Sequence, residues 1–201
     1  MAHSTVISHL EDGKVEITTE RLLLRAARED DVMGVYEAFS DPEVMRYCTL
    51  PHEDPSQTQS RLQEMIDSPT NGTTNFIIAL RPDRNHPIGI VGINAPESHE
   101  IGFILSRQHW GTGIAQEAVS CVLGYLFGAR GMDEVIAEVE PRNRRCVRFL
   151  ERQGFTESGF TERMWEVGGI WWDSLQLRLK RESWEQRTEP ESLNTETGQT
   201  R

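Results

Sequence analysis

The stretch Glu100-Ile-Gly-Phe-Ile-Leu-Ser-Arg-Gln-His-Trp-Gly-Thr-Gly-Ile-Ala115 contains the pattern that decides the fold. It predicts a buried strand, a loop punctuated by glycines, and the start of a long amphipathic helix. The first amides of a helix have no partner within the helix and lie at its positive end, so such a junction attracts phosphate oxygens. Gly111 and Gly113 let the chain turn tightly and let a ligand approach the backbone. We therefore expect a bound cofactor that carries phosphate.

Two common phosphate-binding signatures do not fit this loop. A Walker A motif requires a Lys after its last glycine, and none follows here. A Rossmann fingerprint requires a third glycine, where this chain has Gln116. The pattern that does fit is Q-x-x-G-x-G, formed by Gln108, Gly111 and Gly113.

Two further motifs lie on either side of this loop in the chain. Thr19-Glu-Arg-Leu-Leu-Leu-Arg25 precedes it, and Asn143 opens a segment that ends at Gly154-Phe155. With all three motifs in order, the chain resembles the GNAT acetyltransferases, and in particular their RimJ/RimL-type branch, over about residues 18–184. The resemblance implies acetyl-CoA as cofactor, bound where a mixed, mostly antiparallel sheet flanked by about four helices splays open.

The resemblance also implies an N-acetyltransferase that moves acetyl from acetyl-CoA to a primary amine by direct attack in a ternary complex. The acceptor would be a protein N-terminus or a small amine. A non-catalytic module that binds or senses acyl-CoA is the alternative. It is kept because two side chains typical of the family's catalytic sites are replaced here, as described below.

The hydrophobic pattern, taken by itself, predicts a mixed α/β sheet in the order β-α-α-β-β-β-α-β-α-β-β. The expected helices cover residues 29–40, 55–67, 112–129 and 143–153. The expected strands cover residues 20–25, 74–80, 87–93, 100–105, 134–138, 155–167 and 170–180. Residues 1–14 and 185–201 are polar, so we expect disordered ends around one acetyltransferase domain at 15–184.

Composition narrows the classes of function. The 201 residues carry a formal charge of −11, which argues against general binding to nucleic acid and suits a positively charged acceptor. No apolar run is long enough for a membrane span, and the N-terminal segment lacks the features of a secretory signal. Three widely spaced cysteines without a C-x-x-C pair favour a reducing intracellular compartment over a disulfide framework. We expect a cytoplasmic protein without a metal site. The expected assembly is a monomer or a homodimer.

The predicted cofactor site centres on backbone amides of residues 109–115, which would contact the pyrophosphate. Asn143 is a natural N-cap, and in the family the matching Asn also binds the pantetheine arm. One or two arginines of the 142–148 cluster could meet the 3′-phosphate. The residues predicted to bind cofactor are Leu105, Gln108, His109, Trp110, Gly111, Thr112, Gly113, Ile114, Ala115, Asn143, Arg145 and Cys146.

Glu100 is the candidate general base. An ammonium must lose a proton before its nitrogen can attack a thioester, and a carboxylate with a raised pKa can take that proton. In the superfamily a Glu at the corresponding place often has this task. A structural role for Glu100 is equally open, and His99, Glu138 and Glu140 are rival bases.

Cys146 is the candidate that assists the leaving thiolate. Many GNAT proteins use a Tyr seven residues after the Asn, but this chain has Leu150 there. The RimJ/RimL branch has a Ser at the place of Cys146, and a thiol is a weaker donor than a hydroxyl. An acyl-cysteine intermediate is the alternative, which the absence of a nearby activating His in the sequence disfavours.

Tyr47, Trp172 and Asp173 are the residues predicted to contact the acceptor. Asp173 could bind or orient the amine. Alternation along a strand sends Trp171 and Trp172 to opposite faces, so at most one of them can line the acceptor cleft.

Overall fold

The computed structural model describes residues 5–10, 14–67, 74–81, 83–93 and 99–188. Within these ranges the chain forms two antiparallel sheets flanked by helices, which confirms the mixed α/β class. The first sheet has the order β1-β2-β3-β4-β5-β6, and the second has the order β7-β9-β8. The strands are β1 Val6–His9, β2 Val15–Thr18, β3 Leu22–Arg25, β4 Asn75–Leu80, β5 Asp83–Ile93, β6 Ile101–Leu105, β7 Glu134–Val139, β8 Thr156–Val167 and β9 Ile170–Lys180.

The helices agree closely with the hydrophobic pattern. They are α1 Val32–Phe39, α2 Pro42–Met45, α3 Pro55–Asp67, α4 Ile114–Gly124, α5 Arg144–Gln153 and α6 Arg181–Thr188. The predicted helix at 29–40 begins with a 3₁₀ turn at Glu29–Asp31, and the predicted helix at 112–129 ends in a wider π turn at Tyr125–Ala129. The short helices α2 and α6 add to the four that were expected.

Parts of both ends carry regular secondary structure, where the sequence pattern predicts disorder. Val6–His9 pairs with Val15–Thr18. Backbone hydrogen bonds between the two strands order Val6–His9, although its side chains are all exposed. At the other end α6 continues to Thr188, and the Trp184 ring lies 5.5 Å from the Phe127 ring. Residues 1–4, 11–13 and 189–201 lie outside the described ranges, and the division into a domain at 15–184 stays a prediction.

The two sheets meet between β6 and β7 and then separate. Glu100 forms an isolated parallel bridge with Ile136, and the Ile136 amide donates to the His99 carbonyl over 3.0 Å. Along the described strands no further pairing joins β6 to β7. Parallel strands that touch only at their amino ends leave a gap between their carboxyl ends. This gap positions the site.

Each face of the sheets carries its own set of buried side chains. The main core takes the odd-numbered residues of β6 and β7 together with α4 and α5, including Ile101, Leu105, Val135, Ala137 and Val139. A smaller core lies under α1 and α3 on the other face, and Ile104 of β6 packs against it. Strand alternation therefore sends even-numbered residues of both strands to the α1/α3 face. Among the described residues, no helix combines the length and apolar character needed to cross a membrane.

Candidate active site

A cavity of about 470 Å³ lies at the carboxyl end of β6, beside the glycine loop and α5, and this volume is typical of small-molecule sites. Residues from β6, the glycine loop, α4, α5 and the α2 region line it together. The lining residues are Glu43, Val44, Tyr47, Cys48, Phe103, Ile104, Leu105, His109, Trp110, Gly111, Gly113, Ala115, Gln116, Asn143, Arg145, Cys146, Phe149 and Arg152.

The glycine loop adopts a conformation that side chains resist. Gly111 and Gly113 have φ angles of 76° and 81°, in the left-handed region where a Cβ is costly. Nothing lies within 4 Å of the position that a Cβ on Gly111 would occupy, so the backbone there is open to a ligand. The sequence-based explanation of these two glycines therefore agrees with the geometry.

The amides available in this loop differ slightly from the expectation. The His109 and Trp110 amides donate to the carbonyls of Ser106 and Arg107 over 3.0 Å each, because residues 107–109 form a 3₁₀ turn. These two amides are therefore already engaged within the loop, and the contact of residues 109–115 with a pyrophosphate stays a prediction. The amides of residues 111–116 have no hydrogen bond to another described part of the chain, and the first intrahelical bond is that of Glu117 to Gly113. Gln116 thereby joins the predicted set.

Trp110 anchors the loop to the end of β6. Its indole N–H donates to the Leu105 carbonyl over 2.8 Å, and the Arg145 guanidinium stacks 4.4 Å from the centre of its ring. A guanidinium that stacks on an aromatic ring with one face can still interact with an anion through its other face. Burial lowers the pKa of His109, so its imidazole is neutral at pH 7 and the positive charge comes from arginine.

α5 presents a polar and aromatic stripe to the cavity. The Asn143 side chain accepts the Cys146 amide over 3.1 Å, and Gly154 ends the helix at a φ of 99°, so both predicted caps are confirmed. Arg145, Phe149 and Arg152 follow at helical spacing and all line the cavity. The spacing from Arg145 was the signal that could have identified Phe149 and Arg152 from the sequence.

Several predicted cofactor residues do not reach the cavity. Gln108 and Thr112 are exposed and Ile114 is buried in the main core, and none of the three is among the lining residues. These three residues contribute to the structure of the loop and its helix without lining the cavity. The Thr112 hydroxyl, for example, donates to the His109 carbonyl over 2.7 Å.

The acidic side chains near the gap occupy distinct positions. The Glu100–Ile136 bridge places both side chains on the α1/α3 face, and Glu138 shares that face two residues further along β7. Glu100 therefore lies at the closed end of the gap, and Glu138 lies about 7 Å nearer its open end, from the rise of two strand residues. The Glu138 carboxylate accepts the Ser174 hydroxyl over 3.2 Å. Neither Glu lines the cavity wall itself.

Glu140 is committed to an ion pair. Its two oxygens accept the Arg142 Nε and Nη2 over 2.8 and 2.9 Å, and the Arg142 amide adds a contact of 3.0 Å. These hydrogen bonds lower the pKa of Glu140, although its carboxylate is almost fully buried. A carboxylate with a lowered pKa and occupied oxygens is a poor general base.

Two thiols line the same cavity. Burial raises the pKa of Cys146 to about 12, with a smaller contribution from the charge of Cys48. Cys146 is therefore a neutral thiol at physiological pH. A neutral thiol is a poor nucleophile but a hydrogen-bond donor. Leu150 is buried in the core and offers no polar group.

Of the three residues predicted to contact the acceptor, the structure places one at the cavity. Tyr47 lines the cavity, joined by Glu43, Val44 and Cys48, whose roles the sequence did not signal. Trp172 and Asp173 do not line it. Trp172 is 8% exposed and Trp171 is 45% exposed, as alternation requires. The Asp173 carboxylate accepts the Arg163 amide over 2.9 Å within the β8–β9 hairpin, so its contact with an acceptor stays a prediction.

Comparison with known proteins agrees with this architecture. The family model of the acetyltransferase (GNAT) domain matches residues 21–156. The chain therefore belongs to the GNAT family of N-acetyltransferases. This confirms the enzyme class that the three motifs indicate, while the RimJ/RimL branch stays a prediction.

Relatives and solved structures cover most of the chain. An N-acetyltransferase of Bacillus licheniformis, p20, described as uncharacterized, is 33% identical over 146 residues, which are 70% of this chain and 82% of the relative. The structure of a GNAT-family acetyltransferase from Bacillus anthracis has a TM-score of 0.73 at 26% identity, covering 83% of this chain and 99% of that one. The ribosomal-protein-S5-alanine acetyltransferase of Vibrio fischeri shares the fold, with a TM-score of 0.68 at 19% identity over 87% of this chain and 99% of its own.

Proposed function

We propose that the protein transfers an acetyl group from acetyl-CoA to a primary amine, by direct attack within a ternary complex. The observation that carries this proposal is the glycine loop at residues 111–116. Its amides have no hydrogen bond to another described part of the chain, and Gly111, Gly113, Ala115 and Gln116 line the cavity. A helix N-terminus with free amides is suited to a pyrophosphate. Among proteins that share this fold, ribosomal protein S5 is named as an acceptor in one case.

The residues of the cavity fit coenzyme A in their chemistry. The amides of the glycine loop would hold the pyrophosphate, and Arg145 and Arg152 would meet further phosphate charge. Phe103, Leu105 and Asn143 would border the pantetheine arm in the gap. When bound, acetyl-CoA supplies an acetyl thioester whose carbonyl carbon is electrophilic.

Proton removal from the acceptor ammonium is assigned to a carboxylate on the α1/α3 face. The sequence predicts Glu100 for this role, and the position of Glu138 nearer the open end of the gap supports Glu138 more strongly. Both would act through water, since neither lines the cavity wall. The ion pair of Glu140 with Arg142, which lowers the pKa of Glu140, argues against Glu140 in this role.

Cys146 is assigned to the leaving group. As a neutral thiol on the first turn of α5, it can donate a hydrogen bond to the departing sulfur. The same raised pKa argues against an acyl-cysteine intermediate, which needs a thiolate. The polar acceptor side, with Tyr47 and Glu43, suits an amine carried by a peptide N-terminus or by a small molecule.

The first test is binding and turnover by the purified protein. Calorimetric titration with CoA should show saturable binding, and acetyl-CoA should release thiol in the presence of at least one amine from a panel of peptides and small amines. Binding without turnover on any amine would support the acyl-CoA-sensing alternative instead. A protein that binds no CoA at millimolar concentration would refute the whole assignment.

A further inference from the structure

Arg21, which directly precedes β3, lies beneath the glycine loop without lining the cavity. Its Nη1 donates to the Thr112 carbonyl over 2.9 Å, and its Nε donates to Glu117 Oε2 over 2.6 Å. Its Nη2 lies 2.5 Å from the same carboxylate oxygen. One guanidinium thus connects the loop to the first turn of α4.

Glu117 is held from the other side as well. The Thr19 hydroxyl donates to Glu117 Oε1 over 2.5 Å, and the Arg21 amide approaches that oxygen at 3.3 Å. Thr19 is itself fixed, because its hydroxyl accepts the Leu22 amide over 2.8 Å. Burial alone would raise the pKa of Glu117, but these hydrogen bonds and the charge of Arg21 hold it below its ordinary value. The Arg21–Glu117 pair is therefore ionised and neutral overall.

The contact with Thr112 has a geometric consequence for the loop. In a planar trans peptide the carbonyl of one residue and the amide of the next point in opposite directions. Since Arg21 holds the Thr112 carbonyl on the underside of the loop, the Gly113 amide points away from Arg21. Gly113 lines the cavity, so that amide is directed to the cavity side. Arg21 Nη2 also lies 3.4 Å from where a Cβ on Gly113 would be, directly below this peptide.

We propose that Arg21 and Glu117 are positioning residues for the donor site, which hold the Thr112–Gly113 peptide so that its amide faces the cofactor pyrophosphate. This inference rests on the function proposed above. The pair acts by orientation and not by its own charge on the phosphate, because Glu117 already neutralises Arg21. Removal of the Arg21–Glu117 pair should therefore weaken the binding only of those acetyl donors that carry a pyrophosphate.

The test compares acetyl-CoA with acetyl-pantetheine, a donor that has the same thioester but no pyrophosphate. Arg21→Met should raise the Kd for CoA about tenfold, as expected for the loss of a hydrogen bond to a charged group. The same variant should leave kcat/KM for acetyl-pantetheine within about twofold of wild type, a limit set by the few tenths of a kcal/mol typical of indirect effects. Arg21→Lys keeps the positive charge but loses the planar guanidinium with its several donors. Its Kd for CoA should therefore lie between those of wild type and Arg21→Met.

Arg81→Met is the matched control. Arg81 Nη1 donates to the carbonyls of Thr19 and Glu20 over 3.2 and 3.5 Å, in the same turn, but does not contact the loop. Arg81→Met should have the Kd for CoA and the kcat/KM for acetyl-pantetheine of wild type. Equal loss with both donors in Arg21→Met would overturn the positioning role, as would unchanged CoA binding.

Folding and function failures are separable in this design. If Arg21→Met does not fold, Arg21→Lys and Glu117→Gln give the same comparison. A wild type that binds no CoA would refute the proposed function itself. A wild type that binds CoA, beside an Arg21→Lys variant that binds it equally well, would refute only the positioning role.

Discussion

The donor side and the acceptor side of the cavity are built in different ways. The side proposed for the donor is lined mainly by residues between Leu105 and Gln116 and by the first turns of α5. The side proposed for the acceptor is lined by Glu43 and Tyr47 of the α2 region, and Glu138 lies on a strand face outside the cavity wall. Backbone amides can bind the cofactor in any chain that keeps the two glycines. Recognition of a particular acceptor depends instead on the side chains of the individual protein. The donor is therefore the better determined half of the proposed reaction.

The largest expected effect distinguishes the two candidate bases on the acceptor side. Glu138→Gln should lower kcat at neutral pH about 10²–10⁴-fold, the usual contribution of general base catalysis. Glu100→Gln, at the closed end of the gap, should have a much smaller effect. Cofactor affinity should stay unchanged in both, because neither side chain lines the donor cavity.

Steady-state rates across a pH range, together with CoA titrations, check this prediction. If Glu100→Gln abolishes the pH dependence and Glu138→Gln does not, the sequence-based assignment is the correct one. If neither variant alters the pH–rate profile, the base lies elsewhere on the acceptor side.

A substitution in the glycine loop should change the affinity for CoA. Gly113→Ala places a Cβ at a φ of 81°, where strain of about 1–2 kcal/mol is expected. Because 1.4 kcal/mol corresponds to tenfold, the Kd for CoA should rise about tenfold, from the displaced loop amides. Gly128→Ala is the control, since nothing lies within 4 Å of its Cβ position. Calorimetry that shows equal affinities for the two variants would contradict the role of this loop.

The ion pair beneath the loop makes a pH-dependent contribution to stability. The pKa of Glu117 is lower in the folded protein than its ordinary 4.5, so the pair stabilises the fold above pH 4.5 and loses this effect as pH falls through the folded pKa. Thermal melts should show wild type more stable than Glu117→Gln at pH 7. The gap should narrow below pH 4.5, and a gap that is constant with pH would show that Glu117 is not held as an ion.

The smallest effect is expected where the two sides meet. Cys146→Ser replaces a neutral thiol by a hydroxyl that is a better donor, so kcat should stay within a few-fold of wild type or rise slightly. Mass spectrometry of wild type incubated with acetyl-CoA should find no acetyl adduct on Cys146. Complete loss of activity with such an adduct in wild type would instead establish covalent transfer.

Local patterns predicted the donor side because they act over a few residues. Gly111 and Gly113 at positive φ, Asn143 at an N-cap and Gly154 at a helix end each satisfy a backbone requirement that is visible in the neighbouring sequence. The stripe of Phe149 and Arg152 was equally local and was overlooked. The sequence did not indicate the strand Val6–His9, because pairing with a second strand does not depend on buried side chains.

The sequence by itself determined the central elements from β3 to β9 apart from α2, the glycine loop and the family of the chain. Only the tertiary structure decided which carboxylates share a face of the sheet and that Glu140 is occupied by Arg142. It also decided that Arg21, just before β3, reaches Thr112 in the loop, 91 positions further along the chain. Such contacts depend on strand register and on the parting of β6 from β7. Register is a property of paired strands, so a single strand's sequence does not contain it.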